Sequence, residues 1–281
     1  MNRQYYYLVA GLPDLLFDDK KVPITVEGFR DYLKEFLSFE ELRLLNLHFW
    51  RYDNQNIVNR LTGSNLDFDT RGNLTAEGLD EVFEAAKEIS IANIAPGYIF
   101  RFIDAFKNES PIFEGKPWDV QLAGLYYQFA SNTGNNFINR WFDFELNLNN
   151  VLTALNCRAH AFEISKQLAG YNEVTEKLIK SNARDFGLSD EILHIDKILR
   201  AAEEPGLLER EKKIDLLKWE ILDEESFFHY FSIEKLFVFT IKLTLAERWI
   251  KLDKPTGEKM FNELLNSLEA SYNFPAEFSL K

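Results

Sequence analysis

Apolar residues recur at spacings of three and four along most of the chain, which is the period of an amphipathic α-helix. Short polar residues precede several of these runs, where a side-chain oxygen accepts a hydrogen bond from a free amide of the first turn. Ser38 and Glu41 form a capping-box pattern that opens a run carrying Leu42, Leu45 and Phe49. Further helix starts are predicted at Thr25, Thr75, Pro117 and Ser232.

The same signals predict the longer elements and their ends. Residues 150–168 are predicted to form one long helix that Gly170 terminates. Another helix is expected to begin at Ser189, and Thr256 is expected to cap a further one. Residues 5–9 have the continuous apolar run of an extended segment. The sequence therefore predicts an all-α protein with one extended segment near its start.

Loop-like stretches divide the helical runs at residues 63–74, 107–117 and 203–211. These divisions predict a first helical lobe over residues 1–110 and a second over residues 111–205. The C-terminal helices, over residues 206–281, are the expected place of a partial third lobe. No Pro- or Ser-rich linker lies between the lobes, so we expect them to pack against one another.

The composition limits the classes of partner. The chain has 281 residues, a formal net charge of −13 and a single cysteine, Cys157. This charge argues against nucleic acid and anionic lipid surfaces, because both attract clustered Lys and Arg. A basic protein partner suits it, although ordinary solubility also explains an acidic surface. No apolar run approaches the ~20 residues that cross a bilayer, so we expect a cytoplasmic protein that does not insert into a membrane.

A short pattern occurs twice in the chain, with its two copies 94 residues apart. The first copy is Asp53, Asn56, Ile57 and Arg60, and the second copy contains Asn147, Asn150 and Val151. Each copy has a short polar residue, an Asn three positions later and a β-branched residue next. In a helix these positions fall along one stripe. A duplicated helical unit of this kind is typical of a scaffold that assembles with other proteins.

Three interpretations of the pattern are open at this point. Asp53 and Asn147 are the first residues of the two copies and are predicted to cap their helices, with Asn56 and Asn150 returning a hydrogen bond. Alternatively, each Asn lies inside a longer helix and binds a neighbouring chain end, which fixes one lobe against the next. The plainest interpretation is two unrelated capped helices in an Asn-rich protein.

The surroundings of the second copy carry a family resemblance. Residues 122–129 contain a Tyr pair, residues 132–136 break the helix, and residues 137–141 lead into the second copy. This succession resembles the C/d family of V/A-type rotary ATPase subunits, in which d is the eukaryotic form. Asn150, Val151, Leu155 and Arg158 match the signature of that family, whereas Asn147 stands where an acid is usual. Over residues 5–270 the chain looks like a divergent branch that is typically encoded among V-type ATPase genes.

The resemblance implies a fold and a function. It implies two to three related helical-bundle lobes that form a funnel, and a non-catalytic central-stalk (rotor) protein. The implied partners are the rotary ATPase shaft subunits and the membrane rotor ring, so the protein is expected to be peripheral to the membrane through the ring. The resemblance also implies no catalytic residues, no cofactor and no metal.

Two alternatives remain from the residues themselves. The first is a helical adaptor of an unrelated soluble complex, with the acidic surface as its docking face. The second is a metal-dependent helical enzyme, because His160 with Glu163 and Glu225 with His229 each place two possible ligands on one helix face. The di-metal helical bundles, however, use the opposite order, Glu-x-x-His.

Overall fold

The computed structural model describes residues 5–86 and 94–252, and every regular element within these ranges is helical. The described residues contain no β-strand, so the predicted all-α class is confirmed. A single 3₁₀ turn, Leu47–Phe49, joins α3 to α4. The helices are α1 (Tyr6–Ala10), α2 (Val26–Lys34), α3 (Phe39–Asn46), α4 (Trp50–Thr62), α5 (Ala76–Ala85), α6 (Gly97–Lys107), α7 (Trp118–Ala130), α8 (Asn136–His160), α9 (Ile164–Gln167), α10 (Glu173–Lys180), α11 (Ile195–Ala202), α12 (Leu207–Glu225) and α13 (Ile233–Lys251).

Most predicted helix starts are confirmed, because local capping chemistry determines them. The Thr25 hydroxyl accepts from the amide of Gly28 at 3.1 Å, and the Thr75 hydroxyl accepts from the amide of Gly78 at 3.1 Å. The Ser38 amide donates to the Glu41 carboxylate at 2.7 Å. Helices α7 and α13 begin directly after Pro117 and Ser232, as their sequences predict.

The extended segment predicted at residues 5–9 is wrong. These residues lead into and form α1, in which the amide of Val9 donates to the carbonyl of Tyr5 at 2.9 Å. Leu8 is buried, whereas Tyr6 and Tyr7 are exposed. A five-residue apolar run has no period that distinguishes helix from strand, so its tertiary contacts decide the outcome.

The long helix predicted over residues 150–168 is also wrong in its bounds. Helix α8 begins at Asn136, since the Asn135 side chain accepts from the amide of Ile138 at 3.1 Å and caps it. It ends at His160, where Ala161 adopts a left-handed conformation with φ of 56°. The second copy of the pattern therefore lies in the middle of a 25-residue helix.

The start predicted at Ser189 lies too early in the chain. Residues 188–194 form successive turns, in which the amide of Ile192 donates to the carbonyl of Leu188 at 2.9 Å, and α11 begins only at Ile195. Burial of Leu188 and Ile192 holds these turns against the core. The helix predicted to begin at Thr256 lies outside the described residues.

Helix α7 lies at the centre of the molecule and packs against α4, α6 and α8. Helix α13 packs against α2 and α3 as well as α8 and α12, and its Phe239 ring lies 4.8 Å from that of Phe29. The buried side chains form one continuous core. The lobe boundaries and the pseudo-repeated funnel stay predictions. None of the helices within the described ranges combines the length and apolar content that a bilayer span requires.

Candidate functional site

The two copies of the sequence pattern lie on α4 and α8. Asp53, Asn56 and Ile57 are buried on α4, and Asp53 lies one turn inside the helix, which begins at Trp50. Asn150 and Val151 are buried in the middle of α8. The interpretation of the first residues as helix caps is therefore wrong. The alternative, an Asn inside a longer helix that binds another part of the chain, describes the geometry.

Asn56 and Asn150 each bind one residue of a following loop through both of its backbone groups. The Asn56 amide nitrogen donates to the carbonyl of Asp69 at 2.9 Å, while its oxygen accepts from the amide of Asp69 at 2.8 Å. Asn150 makes the same pair with Ala169, at 2.9 Å and 2.9 Å. We call residues 69–74 the first clasped loop and residues 168–172 the second clasped loop.

The leading residue of each copy binds its clasped loop in a different way. The Asp53 carboxylate accepts from the amides of Asn73 and Leu74, at 2.7 Å and 3.0 Å. Burial raises the pKa of Asp53 to about 6, although these two hydrogen bonds lower it. Asn147 is half-buried and accepts from the side chain of Asn172, at 2.9 Å. Asn172 caps α10.

A buried or half-buried cation also binds carbonyl groups of each clasped loop. One Arg30 nitrogen donates to the carbonyl of Gly72 at 3.0 Å, and the guanidinium lies 4.0 Å above the Phe49 ring. The Lys116 ammonium donates to the carbonyls of Leu168 and Gly170 at 2.6 Å and 3.2 Å. Burial lowers the pKa of Lys116. Each loop therefore has its backbone polar groups satisfied by side chains from helices and from the preceding part of the chain.

Glycine allows the close approach at both clasped loops. A Cβ on Gly72 would lie 2.2 Å from a carboxylate oxygen of Asp53. A Cβ on Gly124 of α7 would lie 2.9 Å from the backbone nitrogen of Gly170. Gly170 itself has φ of +67°, a conformation that other residues rarely adopt. The sequence marks these positions only as isolated glycines, so their role depends on contacts distant in the chain.

The remaining residues of the predicted signature support the same region. Ile57 and Val151 are fully buried beside the two Asn side chains. Arg60 forms an ion pair with Asp80 of α5, and its guanidinium lies 4.8 Å from the Phe83 ring. Arg158 donates to the carbonyl of Ala183 at 2.7 Å, and also to that of Ser181. Its guanidinium lies 3.4 Å from the Phe186 ring.

A buried ion pair joins the two helices that carry the pattern. Arg51 of α4 donates to the Glu145 carboxylate of α8 at 2.5 Å, and the Glu145 side chain is only 2% exposed. These two residues stand 94 residues apart, which is also the separation of Asp53 and Asn147. Each residue stands two positions before the first residue of its copy, so the link between α4 and α8 is made at the same offset in the two copies of the sequence pattern.

The ion pair continues into a wider buried network. The Lys218 ammonium lies 4.0 Å from Glu145 and 3.7 Å from Asp215, which is 1% exposed. Asp215 in turn accepts from Arg248 at 2.7 Å and from the Trp249 indole at 3.1 Å. Burial alone would lower the pKa of Arg51, but the Glu145 carboxylate, together with Tyr126 and Tyr127, raises that pKa well above its usual value. The network ties α4, α8, α12 and α13 together.

The sequence patterns did not reveal this network, although one signal for it was present. Glu145 occupies a core position of α8, four residues after Trp141 and three before Leu148, where an apolar residue is expected. A charged residue at such a position calls for a buried partner.

His48 is a second buried polar residue that the sequence patterns did not reveal. It is 3% exposed, and neither ring nitrogen has a hydrogen-bond partner. Burial, together with Arg51, lowers its pKa well below the usual value.

A cleft of about 280 Å³ lies beside the second copy of the pattern, between α8, α12 and residues 191–194. Apolar side chains form most of its lining, among them Phe137, Trp141 and Ile221, and Asn147 lies at its edge. Its size and lining suit an apolar side chain of another protein. In the described part of the chain, no group of three or more His, Cys, Asp or Glu side chains is placed to hold a metal ion.

The site as a whole holds backbone in fixed positions. Its carboxylates and cations are engaged in ion pairs or in hydrogen bonds to loop backbone, and Cys157 is buried in α8. Such hydrogen bonds and ion pairs hold the two loops against the helices beside them.

Comparison with known proteins corrects the family resemblance. No curated protein and no solved structure matches the chain. The family whose model matches is not the C/d family of V/A-type ATPase subunits, so membership of that family is wrong. The resemblance rested on a pattern of few positions with loose residue classes. Over residues 1–272 the chain belongs to the family described as a protein of unknown function, DUF2764.

Proposed function

We propose that this chain is a non-catalytic coupling protein, a stiff helical body that holds partner proteins in a fixed geometry and transmits force between them. The observation that carries the proposal is the pair of clasped loops, with the Arg51–Glu145 ion pair between their helices. Loops are ordinarily the most mobile parts of a fold. Here both loops are bound through their backbone, which is expected of a part that must not yield under load.

The buried network extends this stiffness across the molecule. Breaking a buried ion pair by removing one partner is costly, because the remaining charge stays in an apolar surrounding. Relative movement of α4, α8, α12 and α13 would break the contacts of Glu145 and Asp215. The four helices are therefore expected to move together as one rigid body, so that a force applied to one helix is transmitted to the others.

The host complex that we propose is a V/A-type rotary ATPase, with this chain between the central shaft and the membrane ring. A part in that position sits against the ring at the cytoplasmic side and needs no catalytic group, metal or cofactor. The proposal concerns the host complex and the mechanical role. It does not depend on the family to which the chain belongs.

Purification from native membranes tests the host. We expect a tagged chain, extracted with mild detergent, to recover shaft and ring subunits at fixed stoichiometry. An unrelated acidic helical protein with the same tag is the control. Recovery of the chain without any ATPase subunit would overturn the proposal.

Function in membranes tests the coupling. Vesicles from a strain that lacks the chain are expected to hydrolyse ATP but to lose ATP-driven ion pumping, and added purified protein should restore the pumping. Pumping that is unchanged without the chain would contradict a coupling role. Loss of hydrolysis together with pumping would also contradict it, because that result places the chain in the catalytic head.

The second candidate function is a helical adaptor of a different complex. The observation that favours it is the set of exposed aromatic side chains on a protein of net charge −13, since exposed apolar patches mark protein interaction surfaces. The same purification separates the two candidates. An adaptor would recover a defined set of partners that contains no shaft or ring subunit.

A further inference from the structure

A group of exposed aromatic side chains lies on α1, directly after α2 and in the segment between α12 and α13. Phe228 is 80% exposed and Tyr7 is 79% exposed, far more than large aromatic residues usually are. We call this surface the aromatic face, and its residues are Tyr6, Tyr7, Phe36, Phe227, Phe228, Tyr230 and Phe231.

Ring contacts link α1 both to the end of α2 and to Phe231, although these segments are distant in the chain. The ring centroids of Tyr6 and Phe231 are 4.3 Å apart, and those of Tyr7 and Phe36 are 6.5 Å apart. The amide of Tyr5 donates to the carbonyl of Phe231 at 3.2 Å. Helix α1 therefore lies between the end of α2 and residues 227–231 and connects their rings.

The backbone that carries the most exposed rings is held in place. Ser226 is 1% exposed, and its carbonyl accepts from the amide of His229 at 2.9 Å. The His229 ring packs edge-on against Phe137 of α8 at 4.9 Å and lies 3.7 Å from Glu234. Phe227 and Phe228 are thus presented to solvent from an ordered turn. Pre-ordered aromatic side chains lose little entropy on binding.

The charge around the aromatic face indicates the chemistry of its partner. Residues 27–43 and 220–235, which adjoin or contain rings of the face, have ten Asp and Glu residues and four Lys and Arg residues. Three of these carboxylates, Glu220, Asp223 and Glu225, pair with Lys and Arg residues from elsewhere in the chain, and acidic groups are still in excess. A partner with apolar side chains and neighbouring Lys or Arg complements both features. An anionic membrane surface is disfavoured, because the same carboxylates repel it.

We propose that the aromatic face binds an amphipathic α-helix of a partner protein whose apolar stripe is flanked by Lys and Arg. This inference rests on the proposed function only in taking the partner to be a protein. Rings from three segments follow one another in a row, which suits the long apolar stripe of a helix. These rings are Phe36, Tyr7, Tyr6 and Phe231. Tyr and Phe are also the residue types enriched at the centres of protein interfaces.

A model peptide tests the proposal with the full chain. The probe is an 18-residue fluorescent peptide of Leu and Lys with its Leu residues on one helical face, and binding is followed by anisotropy. A peptide of the same composition without a stripe, and one with Glu in place of Lys, are the peptide controls. We expect the Tyr7→Ser/Phe228→Ser variant to bind the striped peptide at least tenfold more weakly than the unchanged protein.

The matched control variant is Leu66→Ser/Phe162→Ser, since these side chains are 69% and 65% exposed but lie outside the aromatic face. It should bind the striped peptide like the unchanged protein. Circular dichroism and the melting temperature establish that both variants fold. Equal binding by the face variant, or equal binding of the three peptides, would overturn the proposal.

Three other occupants are distinguished in the same series. A concentration-dependent dimer that Phe228→Ser abolishes would assign the face to a second copy of this chain. Displacement of the probe by a peptide of residues 253–281 would assign it to the chain itself, and flotation with phosphatidylcholine vesicles would assign it to lipid. Each of these results overturns the proposal. If the face variant still recovers ATPase subunits while one of these results overturns the inference, the proposed function stands and only the inference fails.

Discussion

The two clasped loops share one hydrogen-bond pattern but differ in the chemistry around it. In each, a buried Asn binds both backbone groups of one loop residue, and a cation binds nearby carbonyls. At the first loop the leading residue is the carboxylate of Asp53, whereas at the second loop Asn147 binds the cap of α10 through an amide. The two loops therefore share an Asn and a cation, whereas the first residue of the pattern differs in its chemistry and in the group that it binds.

The largest expected effect on stability comes from breaking the Arg51–Glu145 ion pair, which links the helices that carry the two copies of the pattern. Arg51→Met should lower the free energy of unfolding by about 3–5 kcal/mol, because it leaves the buried Glu145 carboxylate with only the more distant Lys218 ammonium to offset its charge. Urea unfolding measures the change. Arg140→Met removes an exposed ion pair with Glu225 and should cost less than about 1 kcal/mol. Equal losses for the two variants would mean that the link contributes little to stability.

The second-largest loss of stability is expected when either of the two buried Asn side chains, Asn56 or Asn150, is removed. Asn56→Ala and Asn150→Ala each leave a loop amide and a loop carbonyl without partners, so each should cost about 2–4 kcal/mol. Hydrogen exchange should show faster exchange at the amide of Asp69 in the first variant and of Ala169 in the second. Asn156→Ala, on the exposed face of α8, is the control. If either variant loses stability without local exchange, its loop is not held by the Asn.

The charge of Asp53 gives the first loop a pH dependence in the acid range. With a pKa raised to about 6, folded Asp53 holds its proton between about pH 4 and 6, where the unfolded side chain has lost it. Stability from this group is therefore lost as pH rises through that window, by about 2–3 kcal/mol. His48 has the opposite effect, because burial favours its neutral form. Its contribution makes the free energy of unfolding rise as the pH rises.

The difference between the unchanged protein and Asp53→Asn isolates this effect, because the contribution of His48 cancels. The Asp53→Asn variant should gain about 2–3 kcal/mol relative to the unchanged protein between pH 4 and 7 in urea unfolding. Asp119→Asn, on the exposed side of α7, should show no such trend. A flat difference for Asp53→Asn would place the Asp53 pKa near that of an ordinary carboxyl.

Close packing at the two loops gives a smaller effect. Gly124→Ala meets the backbone of Gly170, whereas Gly72→Ala meets the side chain of Asp53, so each should cost about 1–3 kcal/mol with Gly124→Ala the greater. Gly134→Ala meets nothing within 4 Å and is the control. Adding Asp53→Ala to Gly72→Ala should cost less than the sum of the single changes. Additive losses would show that the two residues do not meet.

The smallest effect is expected at Asn147. Asn147→Ala removes one half-buried hydrogen bond to Asn172 and should cost about 1 kcal/mol, because Asn172 still caps α10 through the amide of Thr175. Thermal unfolding measures it. A loss as large as that of Asn150→Ala would make Asn147 an equal partner in fixing the second loop.

Local chemistry in the sequence was sufficient to predict much of the fold. Thr25, Ser38 and Thr75 act within four residues of their own position, so the helix starts that they cap are correct. The apolar run at residues 5–9 was misread because only the burial of Leu8 decides its conformation. The start of α8 was missed because Asn150, which looks like a cap, binds a residue 19 positions away.

The sequence predicted which helix residues form the candidate site but not the residues that they bind. The repeated pattern identified Asp53, Asn56 and Asn150, but the loop residues that they bind lie 13 to 21 positions later. The partners in the ionic network are further apart, at 94 residues for Arg51 and Glu145 and 33 for Asp215 and Arg248. Pairings at such distances depend on the packing of helices, which a single sequence does not reveal.

The contact of α13 with α2 has a consequence for synthesis on the ribosome. Phe29 packs against Phe239, and the amide of Val26 donates to the Glu247 carboxylate at 2.6 Å across 221 positions. The apolar side of α2 therefore has no lasting cover until translation has passed α13 and that helix has left the exit tunnel. During this interval the nascent chain exposes the apolar side of α2, which favours aggregation. Chaperones are therefore expected to bind the nascent chain mainly at this stage.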